Sequence, residues 1–286
     1  MKGTDMPEST EFDLKLASGT VHAHRWGSPD APLALCVHGL SANAHAFDYL
    51  AERIAGSSRQ LVAFDLRGRG RSEITPPGSY GLTAHAQDAL EAATVLGADR
   101  FDYVGWSLGA LIGITAAGLA GERLRSLTLI DHVGTVDPAA YAAVRAGLNR
   151  LDAVVDDPAD YLAAIRGAGV VTPWNEYWDR IYRYELGERA DGRYSPVTDK
   201  AACTEDLDLA STGEVTGAWA KITMPALLLR ATVPFGGDGL VVSEADAVDL
   251  RRAAPGMRVL DVDRNHFGIM TDEGMVAAVG ELLAKV

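Results

Sequence analysis

A serine between two glycines lies where an expected strand gives way to an expected helix. The G-W-S-L-G sequence at residues 105–109 follows an apolar run at 101–105 and precedes an apolar helical pattern at 108–119. A tight turn of this kind requires small neighbours and exposes the serine hydroxyl, as a nucleophile requires. The helix N-terminus directs free N–H groups at Ser107, so the Leu108 N–H is a candidate oxyanion donor. The alternative is a glycine-rich turn with no chemical role.

A histidine follows the last expected strand and could act as the base for this serine. His266 lies in the D-R-N-H-F-G sequence at 263–268, between an apolar run at 257–262 and a helical pattern at 272–285. A serine hydroxyl needs a base to remove its proton, and an imidazole titrates near neutral pH. His266 comes after Ser107 in the chain, which agrees with the order Ser, Asp, His that is typical when the nucleophile lies on a strand-to-helix turn. A loop histidine that only caps the final helix is the alternative.

Two aspartates could orient the imidazole of His266. Asp131 ends an expected strand at 125–131, where a carboxylate would be held rigidly. Rigid placement is what the orientation of an imidazole requires. Asp238 lies late in a glycine-rich loop after an expected strand at 225–231. Both precede His266 in the chain, and the sequence leaves the choice between them open.

A His-Gly step follows the buried strand expected at 32–37. At this position the Leu40 N–H can serve as a second oxyanion donor. His38 is expected to fix this loop rather than to act as a base. The sequence therefore predicts an oxyanion hole formed by the N–H groups of Leu40 and Leu108.

Short apolar runs alternate with helical patterns through most of the chain. A hairpin is expected at 11–26, and strands and helices then alternate over 32–131 and again from 225 to the C-terminus. Such alternation predicts an α/β fold, with a parallel sheet covered by helices on both faces. The 286 residues, 48% of them hydrophobic, suffice for a sizeable buried core.

The alternation stops between residues 133 and 221, where helical pieces and no convincing buried strand are found. Trp174 and Trp178 lie there at helical spacing with Tyr177 and Tyr182, so the four would share one helix face. This stripe either packs the segment's own core or lines a pocket, because aromatic walls suit small-molecule sites. Together with Trp106 beside the serine, Trp174 and Trp178 are candidate substrate-binding residues.

Composition argues against several classes of partner. The net charge of −13 counts against binding to nucleic acid or to an anionic membrane, so a small-molecule substrate is expected. Two cysteines cannot form a disulfide framework, and the polar, acidic N-terminus has no apolar segment, which together indicate a cytoplasmic protein. The sequence has no zinc-type ligand spacing and no nucleotide-binding motif, so no metal and no cofactor are expected. It gives no prediction of oligomeric state.

Taken together, these motifs resemble those of the α/β-hydrolase superfamily. The D-L-R-G-R-G-R-S sequence at 65–72 is similar to the family's D-x-R-G-x-G-x-S loop, and the His-Gly step also matches. The resemblance implies an eight-stranded, mostly parallel sheet, with core parts at 1–132 and 222–286 and a helical lid at 133–221. It implies structural roles for Asp65, Arg67 and Ser72. It also implies that the acid follows the sixth strand, as Asp131 does, or the seventh, as Asp238 does.

The resemblance implies a serine hydrolase that cleaves a small-molecule carboxylic ester or a related acyl bond through an acyl-enzyme. Lactone, amide and carbon–carbon bond hydrolases of the family use the same triad, so the bond type stays open. Some members are non-catalytic receptors that bind a small molecule under the lid. A receptor is therefore the second class of function to be tested.

Overall fold

One large sheet forms the centre of the molecule. The computed structural model describes residues 9–134, 137–210, 214–235 and 239–285. The strands in these residues are β1 (Thr10–Leu16), β2 (Gly19–Trp26), β3 (Leu33–Val37), β4 (Gln60–Phe64), β5 (Phe101–Trp106), β6 (Leu124–Ile130), β7 (Leu186–Glu188), β8 (Tyr194–Pro196), β9 (Ala226–Ala231) and β10 (Met257–Val262). Eight strands form the sheet in the order β1-β2-β4-β3-β5-β6-β9-β10, while β7 pairs with β8 in a separate hairpin.

Most neighbours in this sheet are parallel. Strand β2 runs antiparallel to β1 and to β4, and the remaining pairs are parallel. Every residue of β3, β4 and β5 is buried, as expected for strands covered on both faces. The predicted eight-stranded, mostly parallel α/β sheet is confirmed.

Helices cover both faces of the sheet. The helices of the described residues are α1 (Asp48–Ile54), α2 (Leu82–Val95), α3 (Leu108–Ala120), α4 (Pro138–Gly147), α5 (Pro158–Gly167), α6 (Glu176–Tyr184), α7 (Lys200–Ala210), α8 (Glu244–Ala253) and α9 (Glu273–Leu283). Side chains of α2, α3 and α8 pack in the core on one face, and those of α1 and α9 pack in the core on the other. Among the described residues, no helix is long and apolar enough to cross a membrane.

One expected helix is divided. The pattern at 42–55 predicts a single helix, but the structure has a 3₁₀ turn at Ala44–Phe47 followed by α1. The reason is local, because the Asn43 side chain accepts the His45 N–H and the Asp65 carboxylate accepts the Ala44 N–H. These bonds tie the start of the turn to the end of β4, so the first turn does not follow α-helical geometry.

The described residues between 138 and 221, which we call the insertion, join β6 to β9. They comprise α4 to α7, the β7–β8 hairpin and 3₁₀ helices at Leu148–Asp152 and Glu214–Lys221. The sequence pattern does not predict the hairpin, because strands of three residues with one buried side chain leave no periodic signal. Helix α6 ties the insertion to the core, since Arg180 lies 2.5 Å from the Asp48 carboxylate and Tyr184 donates to Asp65 at 2.7 Å.

Candidate active site

Ser107 lies on a strained turn between β5 and α3. Its backbone has φ 56° and ψ −119°, a conformation that side-chain-bearing residues rarely adopt. A Cβ on Gly105 would overlap the Gly109 carbonyl oxygen, and a Cβ on Gly109 would overlap the carbonyl oxygen of Val37. The two glycines therefore allow the turn to close and bring it against the end of β3. This packing holds the Ser107 hydroxyl in one place at the carboxyl edge of the sheet.

The imidazole of His266 lies beside this hydroxyl. Its Nε2 is 3.0 Å from Ser107 Oγ, so the hydroxyl can donate to it. The backbone of the histidine is also held, because the Trp106 indole N–H donates to the His266 carbonyl at 3.1 Å. The ring of Phe235 stacks on the imidazole, with 5.3 Å between the ring centroids. His266 is 5% exposed, so packing fixes its orientation.

Asp131 completes a chain of hydrogen bonds. Its Oδ2 lies 2.8 Å from His266 Nδ1, and its Oδ1 accepts the backbone N–H of Ala231 in β9 at 2.9 Å. The carboxylate is 1% exposed and is therefore held by two donors in a dry environment. The structure brings Asp131, one of the two predicted acids, to His266. Asp238 lies outside the described residues.

The loop after β3 lies against Ser107, and three successive carbonyl groups in it are each held by a side chain. His38 Nδ1 donates to the Gly39 carbonyl at 2.7 Å. Arg69 Nε donates to the Leu40 carbonyl at 2.9 Å. Arg150 of the insertion donates to the Ser41 carbonyl at 2.7 Å. The bond to Gly39 fixes the peptide that contains the Leu40 N–H, and the other two bonds fix the two peptides that follow it.

His38 has the protonation state that this arrangement needs. Burial lowers its pKa to about 3, so the ring is neutral at physiological pH. Its Nε2 accepts the backbone N–H of Leu66 at 3.0 Å, which leaves the proton on Nδ1 to donate to Gly39. His38 thus links the loop to the end of β4, and its ring has no contact with the Ser107 hydroxyl among the described hydrogen bonds.

The two predicted oxyanion donors belong to the residue after Ser107 and to the loop that lies against Ser107. The Leu108 N–H belongs to the first residue of α3, and the Leu40 N–H belongs to the loop after β3. Within the described residues, neither N–H donates to a backbone carbonyl in the turns and loops of the chain. Both are therefore available to a ligand oxygen next to Ser107.

A cavity of about 560 Å³ opens on Ser107 and His266. Its walls come from the core and from the insertion, and they include Trp106 and Trp178. Trp174, the third predicted substrate-binding residue, does not line the described cavity: it stacks on Tyr182 at 5.7 Å and donates to the Asp179 carboxylate. The prediction that Trp174 shares a helix face with Trp178 and Tyr182 is wrong, because α6 begins at Glu176 after the Asn175 cap. Trp178 and Tyr182 of α6 line the cavity.

Several residues of this site leave no local signal in the sequence. Arg69 and Arg150 act on the loop after β3 from distant parts of the chain. Asn265 binds the Val170 carbonyl and thereby ties the histidine loop to the insertion. Only Asn265, next to His266, could have been singled out from its position. Among the described residues, no group of three or more His, Cys, Asp or Glu side chains could hold a metal ion.

The fold and the site define a class of protein. The family model described as "alpha/beta hydrolase fold" matches residues 32–273, and the chain belongs to this family. A solved structure, that of an E-2-(acetamidomethylene)succinate hydrolase, has a TM-score of 0.85 at 23% identity, over 97% of this chain and 100% of the other.

Two curated relatives are hydrolases by name. The N-formylmaleamate deformylase of Pseudomonas putida is 28% identical over 264 residues, which are 92% of each protein. The 3-hydroxybutyrate-oligomer hydrolase of Cupriavidus necator is 35% identical over 127 residues, which are 44% of this chain and 43% of that relative. The latter match spans less than half of the relative, so it concerns only part of that protein.

Replacing Trp178 with alanine is expected to lower stability and to change the preference for acyl length. The side chain is 1% exposed and packs on Trp106 and Phe267, with ring centroids 6.2 and 5.7 Å apart, while it also lines the cavity. The free energy of unfolding should fall by roughly 3 to 5 kcal/mol, as for other buried aromatic truncations. Thermal unfolding and kcat/KM for esters of short and long acids measure the two effects.

The matched control is Trp174→Ala, which removes a tryptophan from the same segment but not from the cavity wall. It should leave the ratio of kcat/KM for long and short acyl groups unchanged. If Trp178→Ala also leaves that ratio unchanged while stability falls, Trp178 packs the insertion and does not select the substrate.

Proposed function

We propose that the protein is a serine hydrolase that cleaves an acyl bond, an ester or an amide, of a small molecule. The observation that carries this proposal is the unbroken hydrogen-bond chain from Ser107 Oγ through His266 to Asp131, at the mouth of a cavity. Distances of 2.8 and 3.0 Å are those expected between a nucleophile, its base and the group that orients the base.

The acylation step follows from the positions of these groups. Ser107 Oγ forms a bond to the acyl carbon as its proton passes to His266 Nε2. The carbonyl oxygen becomes an oxyanion, which the N–H groups of Leu40 and Leu108 bind. Asp131 accepts the hydrogen bond from His266 Nδ1–H and stabilises the imidazolium. The intermediate then collapses, and the leaving alcohol or amine takes the proton from Nε2.

In deacylation, water is the nucleophile and Ser107 is the leaving group. A water molecule gives a proton to His266 Nε2 and attacks the acyl carbon of the ester formed with Ser107. The same two N–H groups bind the second oxyanion. Collapse releases the carboxylic acid and returns the proton to Ser107 Oγ.

The insertion acts in this proposal as a lid on a core that comprises 1–132 and 222–286. Support comes from the cavity, whose far wall is formed by Tyr161, Ile165, Trp178 and Tyr182 of the insertion. An amide is as suitable as an ester, since the relative that aligns over 92% of its length is named a deformylase. The alternatives that use the same triad, lactone and carbon–carbon bond hydrolysis, are compared in the same substrate screen.

A fluorophosphonate is expected to label Ser107 stoichiometrically, because His266 and the two N–H donors favour attack on phosphorus as well as on carbon. Mass spectrometry of the labelled peptide measures this. The control is Ser107→Ala, which should not be labelled. The purified protein is also screened against activated esters, lactones and anilides.

The outcomes separate the two classes of function. Labelling with turnover of at least one acyl compound supports the hydrolase. Labelling without turnover of any ester, lactone or amide favours a receptor that has retained the triad. Absence of labelling in the folded protein contradicts a nucleophilic Ser107.

A further inference from the structure

The cavity beside Ser107 is walled almost entirely by apolar side chains. Aliphatic and aromatic groups from the core and the insertion form its surface, among them Val144, Ile165, Val171, Ile181, Phe235 and Phe267. A cavity of about 560 Å³ is in the range that holds small organic ligands. Its lining therefore suits a ligand that buries apolar surface.

Arg150 is the one cationic side chain among the described residues of the lining, and its charge is already matched. One Nη donates to the Glu185 carboxylate at 2.7 Å and to the Ser41 carbonyl, and the other donates to Ser41 Oγ and the Gly147 carbonyl. The remaining Nε–H is buried without access to solvent. Arg150 therefore has no exposed donor left for the carboxylate of a ligand.

Glu185 is in turn fully used by the protein. It is 2% exposed, and its second oxygen accepts the hydroxyl proton of Tyr161 at 2.7 Å. Tyr161 lines the cavity, but its hydroxyl points its proton at Glu185 rather than at a ligand. Arg150, Glu185 and Tyr161 form a hydrogen-bonded group at the cavity wall in which the two opposite charges are paired and the buried Nε–H of Arg150 has no partner.

Among the described residues that line the cavity, no Lys or Arg other than Arg150 is present. The protein as a whole carries a net charge of −13. An anionic group that enters the cavity would thus lose its hydration without gaining a partner, which is costly.

We propose, building on the proposed function, that the acyl group bound in this cavity is apolar and uncharged, a medium-length aliphatic or aryl acyl group. The specificity comes from Glu185, which neutralises the only cation at the described wall.

The first test compares two esters of equal acyl length, p-nitrophenyl hexanoate and mono-p-nitrophenyl adipate, which differ in a terminal carboxylate. The hexanoate is expected to have a kcat/KM at least about 100-fold higher, because the carboxylate would be desolvated and unpaired. The ratio of kcat/KM is measured at low and at about 0.5 M salt. Salt screens the repulsion between the adipate carboxylate and the negative surface of the protein, so a preference that remains at high salt comes from the cavity. The preference should persist at high salt.

The second test uses Glu185→Gln, an isosteric change that leaves the charge of Arg150 unmatched. It is expected to raise the adipate-to-hexanoate ratio of kcat/KM by at least about tenfold, as a free cation then faces the ligand. The control is Glu188→Gln, which removes the same charge from an exposed position on β7 and should leave the ratio unchanged. Circular dichroism verifies that both variants are folded.

The wild-type comparison decides the inference even if Glu185→Gln does not fold. Adipate turnover equal to or faster than hexanoate turnover overturns the apolar acyl assignment but leaves the serine hydrolase intact. If neither ester is cleaved, protection of Ser107 from fluorophosphonate by pentylboronic acid and by 4-carboxybutylboronic acid gives the same comparison without turnover. Better protection by the carboxylated boronic acid overturns the inference, whereas failure of Ser107 to be labelled at all overturns the proposed function.

Discussion

Replacing Ser107 with alanine is expected to lower kcat/KM by about 10⁴-fold or more, with a native fold. The loss is this large because removal of the nucleophile leaves only the oxyanion donors and substrate binding to accelerate the reaction. The fold should persist because Ser107 Oγ bonds only to His266 Nε2 among the described residues. Alanine at φ 56° meets the same backbone strain as serine, so the turn gains no new penalty.

Steady-state kinetics with an activated ester measure the loss, and thermal unfolding measures the stability of the same preparation. Thr115→Ala serves as a second control, because it removes a hydroxyl of α3 that donates to the Leu111 carbonyl and does not line the described cavity. More than a tenth of wild-type turnover in Ser107→Ala would remove Ser107 from the mechanism.

Replacing Asp131 with asparagine is expected to lower kcat by about 10³- to 10⁴-fold. Asp131 accepts one bond at each oxygen, from Ala231 N–H and from His266 Nδ1–H. Asparagine has a single oxygen, so its amide N–H₂ must face one of these two donors. If it faces the histidine, the imidazole adopts the other tautomer, and Nε2 then carries a proton where the Ser107 hydroxyl needs an acceptor.

The comparison is with Asp238→Asn, for which a loss under tenfold is expected. Circular dichroism accompanies both variants, because Asp131 is buried and has φ 51°. Asparagine tolerates this left-handed conformation, so the backbone should keep its path. Small and equal losses in the two variants would show that neither aspartate orients His266.

The positions of Ser107 and His266 could be predicted from local sequence, because each follows directly from an element boundary. A glycine pair fixes the turn at Ser107, and the buried runs before it define β5. The same runs predict the alternation of strands and helices in the core, since each is short, apolar and followed by a helical pattern. These features are encoded within a few residues of one another.

The choice between Asp131 and Asp238 could not be made in this way. Both residues follow strands that end at the same edge of the sheet, and spacing along the chain does not say which carboxylate meets the imidazole. In the structure, the Ala231 N–H of the neighbouring strand β9 binds Asp131 and turns its carboxylate toward His266. That contact joins residues about a hundred positions apart, beyond the reach of any local pattern.

The interior of the insertion was equally beyond prediction. The spacing of Trp178 and Tyr182 identifies a helix face but not what lies opposite it, and it wrongly places Trp174 on the same helix, which begins at Glu176. Packing decides the contacts, because Trp178 meets Trp106 and Phe267 of the core while Trp174 stacks on Tyr182. Arg150 and Glu185 lie in segments with no recognisable motif, although they determine the charge of the cavity.

The bonds from Arg150 to Ser41 connect the loop that carries the Leu40 N–H to the insertion. A displacement of this part of the insertion would remove the guanidinium from the Ser41 carbonyl, which lies two peptides beyond the one that contains the Leu40 N–H, while the bond from His38 to the Gly39 carbonyl would remain. The loop and the insertion are therefore coupled through residues that neighbour the donor. By thermodynamic reciprocity, an occupant that binds more tightly with the insertion in this position also favours this position of the insertion.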